Sequence, residues 1–216
     1  MTWLLFSAIS YFFLAFAAIF DRLVLVGSPT SSRLYAFYVG LFVGVIGLIL
    51  LPFTGFFIPS AQVLSIALFT GVIWTVFLVF LFESTFRVGV SRTAPTVGGF
   101  SPIFTFLIGL VFLGQEVLLS LPGIVSFVLF IVGGVMLSKT EGGMSGEKSR
   151  FSPRVLAMLL ATALLFALYL VVLKLTFSRM AFLEGFAWTR VGSLLVVPLL
   201  FFFRDVRQHA FQKQNV

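Results

Sequence analysis

Seven long apolar runs occupy most of the chain, and almost every charge falls between them. They read Trp3–Phe20, Leu34–Leu51, Ala61–Phe82, Thr93–Leu113, Val117–Ser138, Val155–Leu173 and Gly185–Phe203. A helix of ~20 residues rising ~1.5 Å per residue crosses the ~30 Å hydrocarbon core of a bilayer. Barrel strands alternate over ~10 residues, whereas these runs are continuous and longer. In lipid every backbone N–H and C=O must be satisfied within its own segment, so helix is the physical choice. A soluble chain would also need a polar surface, and 60% hydrophobic with 10% charged residues cannot supply one. The expected fold is therefore all-α, a polytopic transmembrane bundle of about seven helices. The first run lacks a basic stretch before it and a small-x-small site after it, so it reads as a span rather than a cleaved leader.

The basic residues carry topological information. Between the runs, one side collects Arg22, Arg33, Arg87, Arg92, Lys139, Lys148, Arg150, Arg154, Arg204, Arg207 and Lys213, and the other only Lys174 and Arg179. By the positive-inside rule the first side faces the cytoplasm, which puts the N-terminus outside. A net charge of +7 distributed this way marks membrane orientation, and no nucleic-acid partner is expected. The chain has no Cys, and its one His, His209, sits in the polar tail, so no metal or haem ligand set and no cofactor are expected.

The longest connection, KTEGGMSGEKSRFSPR over Lys139–Arg154, has the Gly, Ser and charge content of a flexible linker. The segment after this linker resembles the start of the chain. Ala8, Phe13 and Phe16 match Ala161, Phe166 and Tyr169 at one constant offset. Ala36-Phe37-x-Val39-Gly40 resembles Ala187-Trp188-x-x-Val191-Gly192 with one extra residue. The expected organisation is a first five-helix repeat (residues 1–138), a cytoplasmic linker (139–154), two helices of a second repeat (155–203) and a polar tail (204–216). An odd helix number per repeat would invert the second copy, as in secondary transporters.

The fourth run, TAPTVGGFSPIFTFLIGLVFLGQE, places Pro95 and Pro102 on one face with Gly98 and Gly99 between them. Proline removes a donor and glycine loosens the helix, so a break lining a cavity is expected here. Ala94–Leu113 with Gly114, Gln115 and Glu116, followed by Gly123, Gly133 and Gly134, resembles the fourth and fifth helices of EamA-type transporters of the drug/metabolite superfamily. The resemblance implies two five-helix repeats, of which this chain carries one and the start of another. It also implies a cytoplasmic N-terminus, against the charge count.

Candidate binding residues come from polar positions that share helix faces. Ser7, Ser10 and Tyr11 do so in the first run, Thr70 and Trp74 in the third, Ser101 and Thr105 in the fourth, and Thr162 and Tyr169 in the sixth. Arg190 is the one charge well inside a run. An intramembrane ionisable group is a functional candidate by default, although its stem can also snorkel to the interface. Ser10, Tyr11, Thr70, Trp74, Ser101, Thr105 and Arg190 are the expected cavity residues. Each also has a packing role available, since hydroxyls bond to neighbouring helices or to their own backbone. Gly40, Gly44 and Gly47 read as a close-packing stripe. All seven carboxylates lie at run ends or in loops, which disfavours a deep proton-coupling acid.

Three function classes remain. The leading one is a small-molecule or metabolite transporter in a prokaryotic plasma (inner) membrane, working by alternating access between repeats, with lipid as its surroundings and dimerisation left open. A seven-helix receptor or assembly subunit is the alternative. An enzyme is not expected, because no nucleophile–base set or metal motif is present.

Overall fold

The computed structural model describes residues 2–27, 31–113, 123–125, 127–129, 131–133 and 152–209. Within these the chain is helical, without strands. The helices are α1 (Thr2–Gly27), α2 (Ser32–Leu50), α3 (Ala61–Val88) and α4 (Val90–Leu113), with a 3-10 turn at Leu51–Thr54. A shorter apolar helix, α5, runs Gly123–Gly133. It is followed by α6 (Pro153–Phe177), α7 (Phe182–Ser193), α8 (Val197–Leu200) and α9 (Arg204–His209). Six segments are long and apolar enough to cross a membrane, the last formed by α7 and α8 together. An all-α polytopic bundle is thus what the chain builds. Most of the expected fifth run, the Gly114-Gln115-Glu116 junction and residues 139–151 of the linker lie outside the described residues.

Two helices extend past the apolar runs because their charges find partners. On α1, Asp21 accepts a hydrogen bond from the Tyr35 hydroxyl at 2.5 Å, and Arg22 donates to the Thr85 carbonyl at 2.6 Å. On α3, Glu83 accepts from the Ser32 hydroxyl and pairs with Arg87 one turn on at 2.6 Å. Ser31 caps α2 by accepting from the Leu34 N–H at 3.2 Å. Gly89 makes the corner between α3 and α4 with φ +87, a backbone region that side chains resist. Arg22, Arg33 and Arg87 are thereby held at one end of the bundle, with Arg33 3.8 Å from Asp205.

Helix directions follow from paired contacts. α3 and α6 run antiparallel, since Thr70 meets Thr176 at 3.1 Å and Ser84 meets Thr162 at 3.2 Å. α2 and α7 do likewise: a Cβ on Gly47 would touch Arg190 and Val191, and one on Gly44 would touch Leu194. The glycine stripe of α2 is therefore a packing seam, as its spacing implied. α3 and α7 cross still closer. A Cβ on Gly71 would lie 2.1 Å from the Thr189 carbonyl, and one on Gly192 2.3 Å from the Leu68 carbonyl. α7 is wedged between α2 and α3, backbone against backbone. On the other flank, α6 packs on α3 and α4 more extensively than those two pack on one another.

The helix break lies elsewhere than expected. α4 is continuous from Val90 to Leu113 with both prolines inside it. Each proline removes one donor, which a packed transmembrane helix tolerates. The interruption falls in the last span, where α7 stops at Ser193 and α8 starts at Val197. Leu194, Leu195 and Val196 donate three residues back, to Val191, Gly192 and Ser193, at 3.0, 3.2 and 3.2 Å. Pro198 cannot donate to the Leu194 carbonyl, and the Gly192-Ser193 pair upstream lets the chain tighten into these turns.

Candidate substrate site

The candidate site forms where α3, α6 and α7 meet. Trp74 lies near the centre of α3, ~20 Å from Ala61 and ~21 Å from Val88 at ~1.5 Å per residue. Its indole packs on the rings of Tyr169 at 4.7 Å and Phe77 at 5.3 Å. Phe166 extends the wall, 5.0 Å from Phe77 and 6.3 Å from Tyr169. These rings meet because α3 and α6 are antiparallel and in register, clamped by Thr70–Thr176 on one side and Ser84–Thr162 on the other.

Arg190 enters from α7. Its guanidinium stands 4.6 Å from the Phe186 ring centre and 5.4 Å from that of Trp74, with the Tyr169 hydroxyl beside it. It forms no ion pair among the described residues. Aromatic faces attract a guanidinium by ~0.5–2 kcal/mol, which eases its burial without neutralising it. Gly47 permits this placement, because Arg190 Cβ lies only 2.7 Å from where a Cβ of residue 47 would be. Arg190 is therefore directed between Phe186 of its own helix and Trp74 of α3.

Four buried polar atoms have no hydrogen-bond partner among the described residues: Trp74 Nε1, Thr93 Oγ1, Thr105 Oγ1 and Ser193 Oγ. An orphaned buried donor or acceptor is costly, by ~1–3 kcal/mol, and so requires an explanation. Trp74 belongs to the cluster just described. Thr105 is placed at a comparable depth, fifteen residues beyond Val90 as Trp74 is fourteen before Val88. Ser193 closes α7 at the helix break.

The structure brings only some of the expected site residues together. Trp74 and Arg190 touch. Thr70 lies one turn from Trp74, but its hydroxyl is fully buried and engaged with Thr176 and the Ile66 carbonyl at 2.8 Å, which is a packing role. Ser101 is buried on α4, and Thr105 is half-buried there. Ser10 and Tyr11 lie apart on the exposed face of α1, Tyr11 with 72% of its surface open. Tyr169, a candidate through the polar helix face it shares with Thr162 but outside the final expected set, joins the cluster. Phe77, Phe166 and Phe186 are indistinguishable there from the many other phenylalanines.

Residues 8–216 match the family model described as "Sugar transport protein". No curated protein and no solved structure matches the chain.

Proposed function

The chain belongs to the Sugar transport protein family, and from that premise we propose that it carries a sugar across a membrane by alternating access around the Trp74–Tyr169–Arg190 cluster. The family match over residues 8–216 is the observation that carries the class of activity. It makes the protein a member of a membrane transporter family, the coarser content of the EamA-type resemblance. Several features support the finer reading. The partly buried rings of Trp74 and Phe166, packed on the core ring of Phe77, suit the C–H face of a pyranose, and ligand sites combine apolar walls with a few fixed polar groups. A discontinuous span beside the cluster is the backbone irregularity that transporters place at binding sites. The antiparallel run of α2 and α7 has the direction an inverted second repeat requires. The receptor or subunit alternative draws no support from these features.

The test is uptake of radiolabelled D-glucose and D-glucuronate into liposomes holding the full-length protein, against protein-free liposomes. Saturable uptake of either, with exchange against internal sugar, is expected. Absence of both uptake and binding for a panel of hexoses, pentoses and sugar acids would overturn the proposal.

A further inference from the structure

We infer that the sugar recognised at this cluster is an acidic one, carrying a carboxylate that Arg190 holds. The inference rests on the sugar-transport reading above and narrows its substrate class. It starts from the hydrogen-bonding inventory of the site. Arg190 offers five N–H donors and no acceptor, and Trp74 Nε1 is a donor only. The Tyr169 phenol beside Arg190 can donate its proton as well as accept. The set is therefore rich in donors. A neutral sugar presents hydroxyls that each need an acceptor as well as a donor, and a cluster of this kind leaves their protons unpaired. A carboxylate accepts only, with room for two or more donors.

Charge points the same way. Arg190 sits near mid-depth with no carboxylate partner among the described residues, held only by two ring faces and a phenol. A charge in the bundle interior with no described carboxylate beside it is expensive, and such groups normally pair. A bound carboxylate would complete the pair, and the planar guanidinium fork matches its two oxygens. The orphaned Trp74 Nε1 would gain the acceptor that it lacks. A single arginine balances one negative charge. A phosphate monoester brings about −1.5 to −2 at neutral pH, and so would leave excess charge buried. A sugar carboxylate thus fits better than a sugar phosphate. The Trp74 and Phe166 rings would then take the apolar face of the pyranose.

The full-length protein in liposomes, loaded with [14C]-D-glucuronate and its competitors, tests this. Unlabelled D-glucuronate is expected to compete at least about tenfold more strongly than D-glucose, and more strongly than D-glucose 6-phosphate. Arg190→Gln is expected to weaken glucuronate at least about tenfold more than it weakens glucose. Arg190→Lys, which keeps the charge and loses the fork, should retain a measurable part of the preference. Size-exclusion profiles of both variants establish that they fold. If Arg190→Gln does not fold, the Lys variant and the wild-type competition order still decide. Glucose competing as well as glucuronate, or both sugars losing affinity equally on Arg190→Gln, would overturn the carboxylate assignment while leaving sugar transport intact. Stronger competition by the phosphate would reassign Arg190 to a phosphate and overturn it too. Failure of every sugar would instead sink the transport reading itself.

Discussion

Alanine at five glycines should separate backbone contacts from side-chain contacts in this bundle. At Gly71 a new Cβ would stand 2.1 Å from the Thr189 carbonyl and 2.7 Å from Gly192 C and Ser193 N. Real Cβ atoms essentially never approach closer than 3.0 Å, so α7 must retreat by about 1 Å. No rotamer change can relieve this, because every neighbour is backbone. A gap of that size already forfeits roughly a quarter to a half of the dispersion well along the seam. The expected loss is therefore at the upper end of overpacking effects, about 3 kcal/mol. At Gly47 the obstacles are Arg190 Cβ and Val191 N at 2.7 Å and the Ala187 carbonyl at 2.9 Å, again barely movable, so about 2 kcal/mol is expected. Gly44 meets only the Leu194 side chain, at 2.3 Å, which can swing, so about 1 kcal/mol is expected there despite the shorter distance. Gly40 meets the Thr75 methyl at 3.2 Å and should change little. Gly98 meets nothing within 4 Å, and alanine there should be neutral or gain up to ~1 kcal/mol of helix propensity. The assay is the midpoint of heat-induced loss of the monodisperse peak in detergent. The refuting results are Gly71→Ala as stable as wild type, or Gly44→Ala more damaging than Gly47→Ala. Either would mean that the α2–α3–α7 contact is looser than these distances imply.

Three further outcomes are expected. Thr70→Val and Thr176→Val should each destabilise by about 0.5–1.5 kcal/mol, and the double variant by less than their sum, since each removes half of one bond; additive losses in the same thermal assay would show the pair to be uncoupled. Trp74→Phe keeps a ring and removes the orphaned N–H, so sugar competition should weaken about 3- to 10-fold with little change in stability; unchanged affinity would place Nε1 outside the site. Because the chain lacks cysteine, single-cysteine variants report orientation directly. An impermeant maleimide added to intact cells should label Ser178→Cys and spare Gln208→Cys, both positions being exposed, and the reverse pattern would turn the bundle over.

The parts of this fold that are legible in the sequence are those fixed by composition along a helix. Long apolar runs mark the spans, and the Gly40, Gly44 and Gly47 spacing marks the face on which α7 docks. Span ends read short where charges look like loop. Asp21, Arg22, Glu83 and Arg87 stay helical because each finds a partner from another helix or one turn away, and pairing across the bundle leaves no local signal. The site is half legible for a related reason. Arg190 and Trp74 stand out as rare residue types in apolar runs, so singling them out needs no knowledge of the fold. Which phenylalanines wall them in depends on the α3–α6 register, and the Thr70–Thr176 and Ser84–Thr162 pairs set that register from opposite ends. Ser10 and Tyr11 are picked out by the same helix-face rule as Trp74, yet face outward, because spacing identifies a common face but not its direction.

The misplaced helix break has the same origin. Two prolines and two glycines make the fourth run look weaker than the last, which has only Pro198 and the Gly192-Ser193 pair. Yet α4 stays helical and the last span breaks. What differs is the surroundings. A Cβ at Gly98 would meet nothing within 4 Å, so no backbone presses on α4 at that turn, although α6 packs along the helix. Gly192 is pressed against the Leu68 backbone while Leu194 is pressed into the space over Gly44, so α7 is gripped from both sides just before Pro198 interrupts its hydrogen bonding. A helix can absorb donors lost to proline where nothing grips the affected turn, and yields where both flanks of that turn are fixed. That yielding point, with the orphaned Ser193 hydroxyl beside it, lies one turn from Arg190. Any movement of α8 about this break would therefore act on the arginine through a single turn of helix, which gives the cluster a direct mechanical link to the end of the bundle that carries Asp205 and Arg33.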